Sequence, residues 1–218
     1  MKKFTLIPIL IFAIAFVAKA QPSDQKALDI MEDVAEKTKS YDGFYVEFTF
    51  SINNLRDSSH QATDGKMWFH DKSYKLDMMG SVIHSDGEAN WVYQEETGEI
   101  NITEYSEDET SSFINPYRFL DNYADEYTCR FVSDKFVNGK PLVEVHLFPN
   151  ENEESTFSRI KIRMDKTQKA LYDFTFVGKE GVNYTITINT LDTSKPVTED
   201  MVNFTKSDYP NAEIIDMR

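Results

Sequence analysis

Apolar and polar residues alternate along most of this chain with a period of two, which is the pattern of strands that bury one face. The clearest run spans residues 44–52, whose apolar face carries Phe44, Val46, Phe48, Phe50 and Ile52. Shorter runs continue to residue 188, and turn signals such as Asp64-Gly65 and Asn138-Gly139 separate them. Because short hairpin loops join antiparallel strands, the pattern predicts one curved antiparallel sheet of about ten or eleven strands.

Two segments follow a helical spacing instead. Residues 23–40 place apolar side chains three and four positions apart, which predicts an amphipathic helix with a face made of Ala27, Ile30, Met31, Val34 and Thr38. Residues 115–123 begin with Asn115-Pro116, which is typical of a helix start. The apolar side of this second helix carries Phe119, Leu120 and Tyr123. We therefore expect a mainly β fold of the α+β class, an incomplete antiparallel β-barrel with an N-terminal helix and a short helical lid.

The start of the chain has the form of a secretory signal peptide. Two lysines precede an apolar run over residues 4–17, and Ala18-Lys19-Ala20 has the small-x-small pattern of a cleavage site. The apolar run is shorter than the roughly twenty residues that span a bilayer. We predict a cleaved signal over residues 1–20 and a single domain over residues 21–218, exported to the periplasm.

Composition narrows the classes of partner. A bacterial lipoprotein carries an acylated cysteine directly after its signal, whereas this chain has Gln21 there and a single cysteine, Cys129. We therefore expect a soluble, unlipidated protein. Without the three lysines of the signal, 20 basic residues stand against 37 acidic ones, a net charge of about −17. This charge argues against nucleic acid as a partner, since nucleic-acid binding depends on basic patches. A monomer is expected.

The stretch His84-Ser85-Asp86 contains the three residue types of a hydrolase triad. A triad requires side chains that converge from separate segments, and consecutive strand residues point to opposite faces. Asp86-Gly87 is also a strong hairpin signal, because such turns need positive φ. We interpret the stretch as a strand end and a turn. The sequence predicts no catalytic residue, no metal site and no cofactor, and the protein is not expected to be an enzyme.

The strongest candidate for a functional surface is the apolar face of the early strands, which is rich in Phe and Met. Phe and Met side chains adapt well to irregular apolar ligands. A single sheet with two short helices either closes on its own side chains as a filled core or leaves a hydrophobic pocket under a helical lid. An open interior beneath residues 44–93 favours the pocket, and a filled interior favours the core.

Three motifs in the first half of the chain resemble those of the LolA family of outer-membrane lipoprotein carrier proteins. They are the strand Val46-Glu47-Phe48-Thr49-Phe50, the strand Gly65-Lys66-Met67-Trp68-Phe69 and the hairpin Ser85-Asp86-Gly87-Glu88-Ala89-Asn90-Trp91-Val92-Tyr93. The same order and spacing occur in that family, and the resemblance is most specific over residues 41–93. It implies a carrier that receives triacylated lipoproteins from an inner-membrane lipoprotein-releasing ABC transporter and passes them to an outer-membrane lipoprotein acceptor.

The resemblance also implies a lipid cavity and a lid. The residues predicted to line the cavity are Val46, Phe48, Phe50, Met67, Phe69, Tyr74, Leu76, Met78 and Trp91. The candidates for the lid and its latch are Ile30, Met31, Val34, Lys72, Phe119 and Leu120. Family members typically carry Arg-Pro after the tryptophan-containing strand, and that Arg helps to hold the lid closed. Here His70-Asp71-Lys72 follows instead, and a Lys is a poor replacement for a forked Arg contact.

Two alternatives to the carrier stay open. Related barrels act as envelope-stress sensors that bind lipoprotein and a regulatory partner, and they usually carry a second domain. A secreted β-rich interaction module that binds no lipid would have a filled core.

Overall fold

The computed structural model describes residues 24–105, 119–150 and 155–218, so the predicted signal peptide lies outside it. Its strands are β1 Phe44–Asn54, β2 Ser59–His70, β3 Ser73–Met78, β4 Ser81–Ser85, β5 Ala89–Gln94, β6 Glu99–Glu104, β7 Tyr127–Val137, β8 Lys140–Pro149, β9 Phe157–Asp165, β10 Ala170–Gly178, β11 Val182–Asp192 and β12 Glu213–Asp216. Its helices are α1 Gln25–Lys39, α2 Phe119–Glu126, α3 Glu199–Val202 and a 3-10 turn at Lys206–Asp208. Among the described residues, no helix has the length and apolar character needed to cross a membrane.

The twelve described strands form one sheet in the order β12-β6-β5-β4-β3-β2-β1-β11-β10-β9-β8-β7. Neighbouring strands are antiparallel except for β12, which runs parallel to β6. The end strands β12 and β7 do not pair with each other, so the sheet stays open. The predicted class, an incomplete antiparallel barrel with an N-terminal helix and a short second helix, is confirmed. The predicted strand number omitted β12, because its sequence Glu-Ile-Ile-Asp does not alternate.

Helix α1 carries the predicted amphipathic stripe, and its buried side chains are Ala27, Met31, Val34 and Ala35. The residue at its N-cap position is Asp24, whose carboxylate makes no capping hydrogen bond and contacts strand β7 instead. The second predicted helix corresponds to α2, which starts at Phe119. The predicted helix start at Asn115-Pro116 lies outside the described residues.

One predicted turn is wrong. Asp64-Gly65 lies inside β2, where Gly65 pairs with Phe48 of β1. The turn between these two strands is at residues 55–58. A Cβ added to Gly65 would lie 2.4 Å from the ring of Phe48. The glycine therefore leaves room for an aromatic ring on the neighbouring strand and does not serve a turn.

The sheet buries apolar side chains on both of its faces. We call the face that packs on α1 the inner face, and the opposite one the outer face. The inner layer runs from β1–β3 to β8–β11 and includes the fully buried Phe174, Ile162 and Val145. The outer layer is smaller and lies between β4–β6 and the C-terminal part of the chain.

Residues 193–217 cross the outer face, and we call this segment the strap. Its helix α3 packs against β2 and β3. Its aromatic residues Phe204 and Tyr209 lie on Trp91 and Tyr93 of β5. Its last strand, β12, joins the edge of β6. The strap therefore gives β4–β6 an apolar layer on the side away from α1.

Candidate functional site

Eight of the nine predicted cavity residues lie together on the inner face. Val46 of β1 pairs with Met67 of β2, which pairs with Leu76 of β3. Side chains that pair across antiparallel strands share a face. The eight residues are Val46, Phe48, Phe50, Met67, Phe69, Tyr74, Leu76 and Met78. Their role as lipid contacts stays a prediction, but they form one surface.

Trp91 does not belong to this group. It pairs with His84, which pairs with Lys75, and Lys75 points away from the face of Leu76. The Trp91 ring stacks on Phe204 of the strap, with 5.6 Å between centroids and 5° between ring planes. Its assignment to the cavity is corrected: it faces outward. Residues 91–93 are Trp-Val-Tyr, all apolar, so alternation within this strand does not identify the inner side.

The inner face is covered in this structure. Of the eight residues, all but Phe50 and Met78 are at most 6% exposed. Met31 and Val34 of α1 belong to the same buried cluster as these strand residues. The interior beneath residues 44–78 is thus filled by protein side chains, contrary to the open cavity expected of a carrier. A hydrocarbon chain gains access to this surface only if the side chains that cover it move away.

The lid candidates separate into two kinds. Met31, Val34 and Leu120 are buried in the inner cluster, and Ile30 packs against it. Phe119 is the first residue of α2. Lys72, in contrast, is exposed at the turn between β2 and β3. None of the ion pairs among the described residues involves Lys72, so it does not latch the lid in this conformation.

The N-terminal end of α1 is attached to the edge strand β7. The backbone N–H of Asp24 donates to the carbonyl of Cys129 at 3.0 Å. The Asp24 carboxylate accepts the backbone N–H of Phe131 at 3.1 Å and a guanidinium N–H of Arg130 at 3.3 Å. Because these are hydrogen bonds to a strand edge, this end of α1 has a fixed position on β7.

The rest of α1 is attached to the same side of the molecule. Lys169, in the turn between β9 and β10, donates to Asp33 at 2.8 Å. Lys39 lies 3.2 Å from the carboxylate of Asp121 in α2. Among the described residues, no ion pair of α1 reaches β1–β6. The buried side chains of α1 are apolar, and apolar contacts have no preferred direction.

A cleft of about 650 Å³ lies where α1 ends. It is bounded by the last turn of α1, the start of α2 and the turns after β2 and β4. Its lining includes Lys39, Lys72 and the stacked rings of Phe44 and Phe69, whose centroids are 4.7 Å apart. Since Phe44 and Phe69 belong to the inner layer, the cleft connects the charged surface to the apolar interior.

His84 is the most buried polar side chain of the outer layer and is only 2% exposed. Its Nδ1 lies 2.6 Å from the carbonyl of Val202, and its Nε2 lies 2.8 Å from the hydroxyl of Tyr209. A carbonyl only accepts, so Nδ1 carries the proton, and in the neutral ring Nε2 accepts from Tyr209. Burial lowers the pKa of His84 below its ordinary value of 6.5, although the hydrogen bond to Val202 opposes this shift. Sequence reasoning missed this role of His84 as an attachment for the strap.

The three triad-like residues have separate structural roles. His84 points to the outer face, and Ser85 pairs with Tyr74 on the inner face. Asp86 accepts the backbone N–H groups of Glu88 and Ala89, each at 2.8 Å. Gly87 has a φ of +86°. The prediction of a strand end followed by a turn is confirmed, and the three side chains do not converge.

The structure thus combines an open twelve-stranded sheet with an amphipathic helix whose apolar side is buried in the inner layer. The family model described as "Outer membrane lipoprotein carrier protein LolA" matches residues 39–205, more than half of the chain. The chain belongs to the LolA family, whose proteins are binding or chaperone proteins for lipoproteins. No curated protein matches the chain.

Solved structures are similar to this chain at low sequence identity. An uncharacterized conserved protein from Thermus thermophilus is 9% identical, with a TM-score of 0.56, over 88% of this chain and 99% of that one. A putative outer membrane lipoprotein-sorting protein domain from Vibrio parahaemolyticus is 12% identical, with a TM-score of 0.47, over 84% and 98%. The MucA/MucB complex of Pseudomonas aeruginosa contains a chain that is 15% identical, with a TM-score of 0.43, over 83% and 62%. At this level of identity, the similarity to the Thermus thermophilus protein supports the fold alone.

Proposed function

We propose that this protein binds the acyl chains of lipoproteins on the inner face of its sheet and carries them through the periplasm. The observation that supports this function is the apolar surface of β1–β3, which shares one buried cluster with a helix whose hydrogen bonds and ion pairs go to other elements. In this proposal α1 stays with β7 and α2, and acyl chains replace its apolar contacts with β1–β3. The single domain of residues 21–218, with its signal removed, acts as the carrier.

The energetics suit a carrier that must also release its ligand. Each methylene removed from water contributes about 0.8 kcal/mol, so free acyl chains in water are strongly disfavoured. Binding a ligand here exchanges one apolar surface, the face of α1, for another, the acyl chain. The free energy of binding is therefore the difference between two burial terms. Such a difference favours binding over water but leaves the ligand transferable to a stronger acceptor.

The proposed donor is an inner-membrane lipoprotein-releasing ABC transporter, and the proposed receiver is an outer-membrane lipoprotein acceptor. The direct test is mass spectrometry of the protein purified gently from its native envelope. Co-purified triacylated lipoproteins are expected. Protein free of lipoproteins that also extracts none from membrane vesicles would contradict the proposal.

Phe48→Glu places a charge on the inner face and is expected to abolish lipoprotein binding while leaving export intact. Phe50→Glu tests the same surface at a partly exposed position that tolerates a charge more readily. The matched control is Phe136→Glu on β7, where the native ring is 79% exposed. Circular dichroism checks the fold of each variant. Equal binding by the inner-face variants and the control would show that the lipid lies elsewhere.

The filled inner face favours a second candidate, an interaction module that binds no lipid. In that case α1 stays in place and partners contact the outer surfaces. A lipoprotein-sensing regulator is an intermediate possibility that would bind both a lipid and a protein partner. The vesicle-extraction experiment separates the candidates, because only a lipid-binding protein removes lipoproteins from membranes.

A further inference from the structure

The inner face is not apolar throughout. One row of paired side chains crosses it from β2 to β6 and consists of Phe69, Tyr74, Ser85, Asn90 and Thr103. The row is aromatic on β2 and β3 and polar on β4, β5 and β6. A boundary between apolar and polar surface therefore runs along β4 on the side that packs on α1.

The next row places the boundary farther along the sheet. It consists of Met67, Leu76, Ile83, Val92 and Asn101, and it stays apolar until β6. On β5 and β6, Trp91, Tyr93, Ile100 and Ile102 face the outer layer under the strap, which leaves Asn90, Asn101 and Thr103 on the inner side beside Val92. The result is a polar patch that borders the apolar layer of β1–β3.

One atom of this patch lacks a partner. Asn90 Oδ1 is buried and has no hydrogen-bond donor among the described residues. Its neighbour Ser85 accepts the backbone N–H of Gly87 at 3.3 Å. An unpaired buried acceptor is unfavourable, and a donor that reaches it recovers free energy. A ligand N–H that reaches Asn90 Oδ1 would therefore form a favourable hydrogen bond.

The patch is also close to the cleft at the end of α1. Gly87, in the turn that joins β4 to β5, and Tyr105, at the end of β6, both line that cleft. Ser85 precedes Gly87, and Thr103 precedes Tyr105, each by one intervening residue. A ligand that enters through the cleft would place its tail along β1–β3 and its polar end near β4–β6.

We propose that Ser85, Asn90 and Thr103 bind the amide-containing polar end of an N-acylated lipopeptide, with Asn90 Oδ1 accepting an N–H of the ligand. The inference rests on the proposed function, because it assumes that acyl chains occupy the apolar rows. It goes beyond that function by naming the residues that distinguish an acylated peptide from a simple glyceride. Both ligands carry hydrocarbon, but only the peptide offers N–H donors.

Two probes with the same acyl chains test this selectivity. One is a tripalmitoylated cysteinyl-serine peptide, and the other is tripalmitoylglycerol, which has no N–H group. Binding of each is measured by competition with a fluorescent lipid for wild type, Asn90→Leu and Thr103→Val. Asn189→Leu is the matched control, since Asn189 is exposed and donates to Thr49. Asn90→Leu is expected to weaken peptide binding about tenfold and to leave glyceride binding unchanged.

The outcomes separate the inference from the function on which it rests. Equal losses for both probes, or no loss for either, in Asn90→Leu would overturn the polar-end assignment while wild-type binding upholds the proposed function. Failure of the wild type to bind both probes would overturn the proposed function and the inference with it. If Asn90→Leu does not fold, Thr103→Val, which conserves volume, decides the same question from the same comparison of probes.

Discussion

The two faces of the sheet hold their covers in different ways. On the inner face, α1 buries its apolar side chains in the same cluster as those of β1–β3, and its hydrogen bonds and ion pairs go to β7, α2 and the turn after β9. On the outer face, the strap is held by hydrogen bonds to His84 and by the pairing of β12 with β6. Apolar contacts have no preferred direction and are exchangeable for those of a ligand, whereas hydrogen bonds fix a partner. We therefore expect α1 to move when a ligand binds and the strap to stay in place.

The largest expected effect is on the inner layer itself. Phe174 is fully buried, so Phe174→Ala is expected to lower the free energy of unfolding by about 3–5 kcal/mol. Urea denaturation measures this loss. Phe136→Ala, at a ring that is mostly exposed, is the control and should change stability by less than about 0.5 kcal/mol. Similar values for the two variants would show that the inner layer is not the main core.

The second effect concerns the attachment of the strap. His84→Ala removes both hydrogen bonds and leaves the Val202 carbonyl and the Tyr209 hydroxyl unpaired. An unpaired buried group such as the Val202 carbonyl costs about 1–3 kcal/mol. Hydrogen exchange should accelerate in the strap, residues 193–217, and stay unchanged in β8–β10. Faster exchange throughout the sheet would mean that the strap and the inner layer unfold as one unit.

Lowering the pH is expected to destabilise the attachment of the strap by less than His84→Ala does. The folded pKa of His84 lies below 6.5 because burial disfavours the charged ring, so the unfolded strap takes up the proton first. Stability of the strap is therefore complete above about pH 6.5 and falls as the pH drops toward the folded pKa. The charged groups that act on the ring are Lys75, which lowers the pKa further, and Asp208, which raises it.

Hydrogen exchange of the strap at about pH 7.5 and pH 5.5, corrected for intrinsic exchange rates, measures this dependence. His84→Phe is the control, because the remaining three histidines of the chain are retained in it. The dependence should disappear in that variant. A pH dependence that persists there would assign the titration to another group.

The smallest effect is expected for the ion pair between Lys39 of α1 and Asp121 of α2. Lys39 and Asp121 are both more than half exposed, so Lys39→Gln should cost less than about 1 kcal/mol. Thermal unfolding in low and high salt checks this value, since salt screens exposed pairs. A larger loss would mean that this ion pair, and not the apolar layer, holds α1 in place.

Much of the sheet was predictable because its strands alternate cleanly and its turns are short. The outward position of Trp91 was also within reach of the sequence. A two-residue turn after Met78 pairs Leu76 with Ile83, and the following hairpin pairs Ile83 with Val92, which leaves Trp91 on the other face. Trp91 was assigned to the wrong face because apolar residues were grouped by type, and the strand register across the hairpins was not counted.

Other features were not accessible from local pattern. The strap has no periodicity, and Phe204 and Tyr209 become meaningful only once Trp91 is known to face outward. Asp64-Gly65 reads as a turn because the ring that requires the glycine belongs to another strand. The filled state of the inner face depends on how deeply α1 packs, and that is set by the whole sheet and not by the sequence of the helix.

The position of bound acyl chains is the most direct test of the central claim that lipid binds on the inner face. Both tryptophans of the chain, Trp68 and Trp91, face outward, as their pairing with Tyr45 and His84 shows. A tripalmitoylated peptide with brominated acyl chains quenches only tryptophans that it contacts. Phe48→Trp, combined with Trp68→Phe and Trp91→Phe, places the sole tryptophan on the inner face. Strong quenching in this variant and none in the wild type is the predicted result. Quenching in the wild type, without quenching in the variant, would place the lipid on the outer face and contradict the claim.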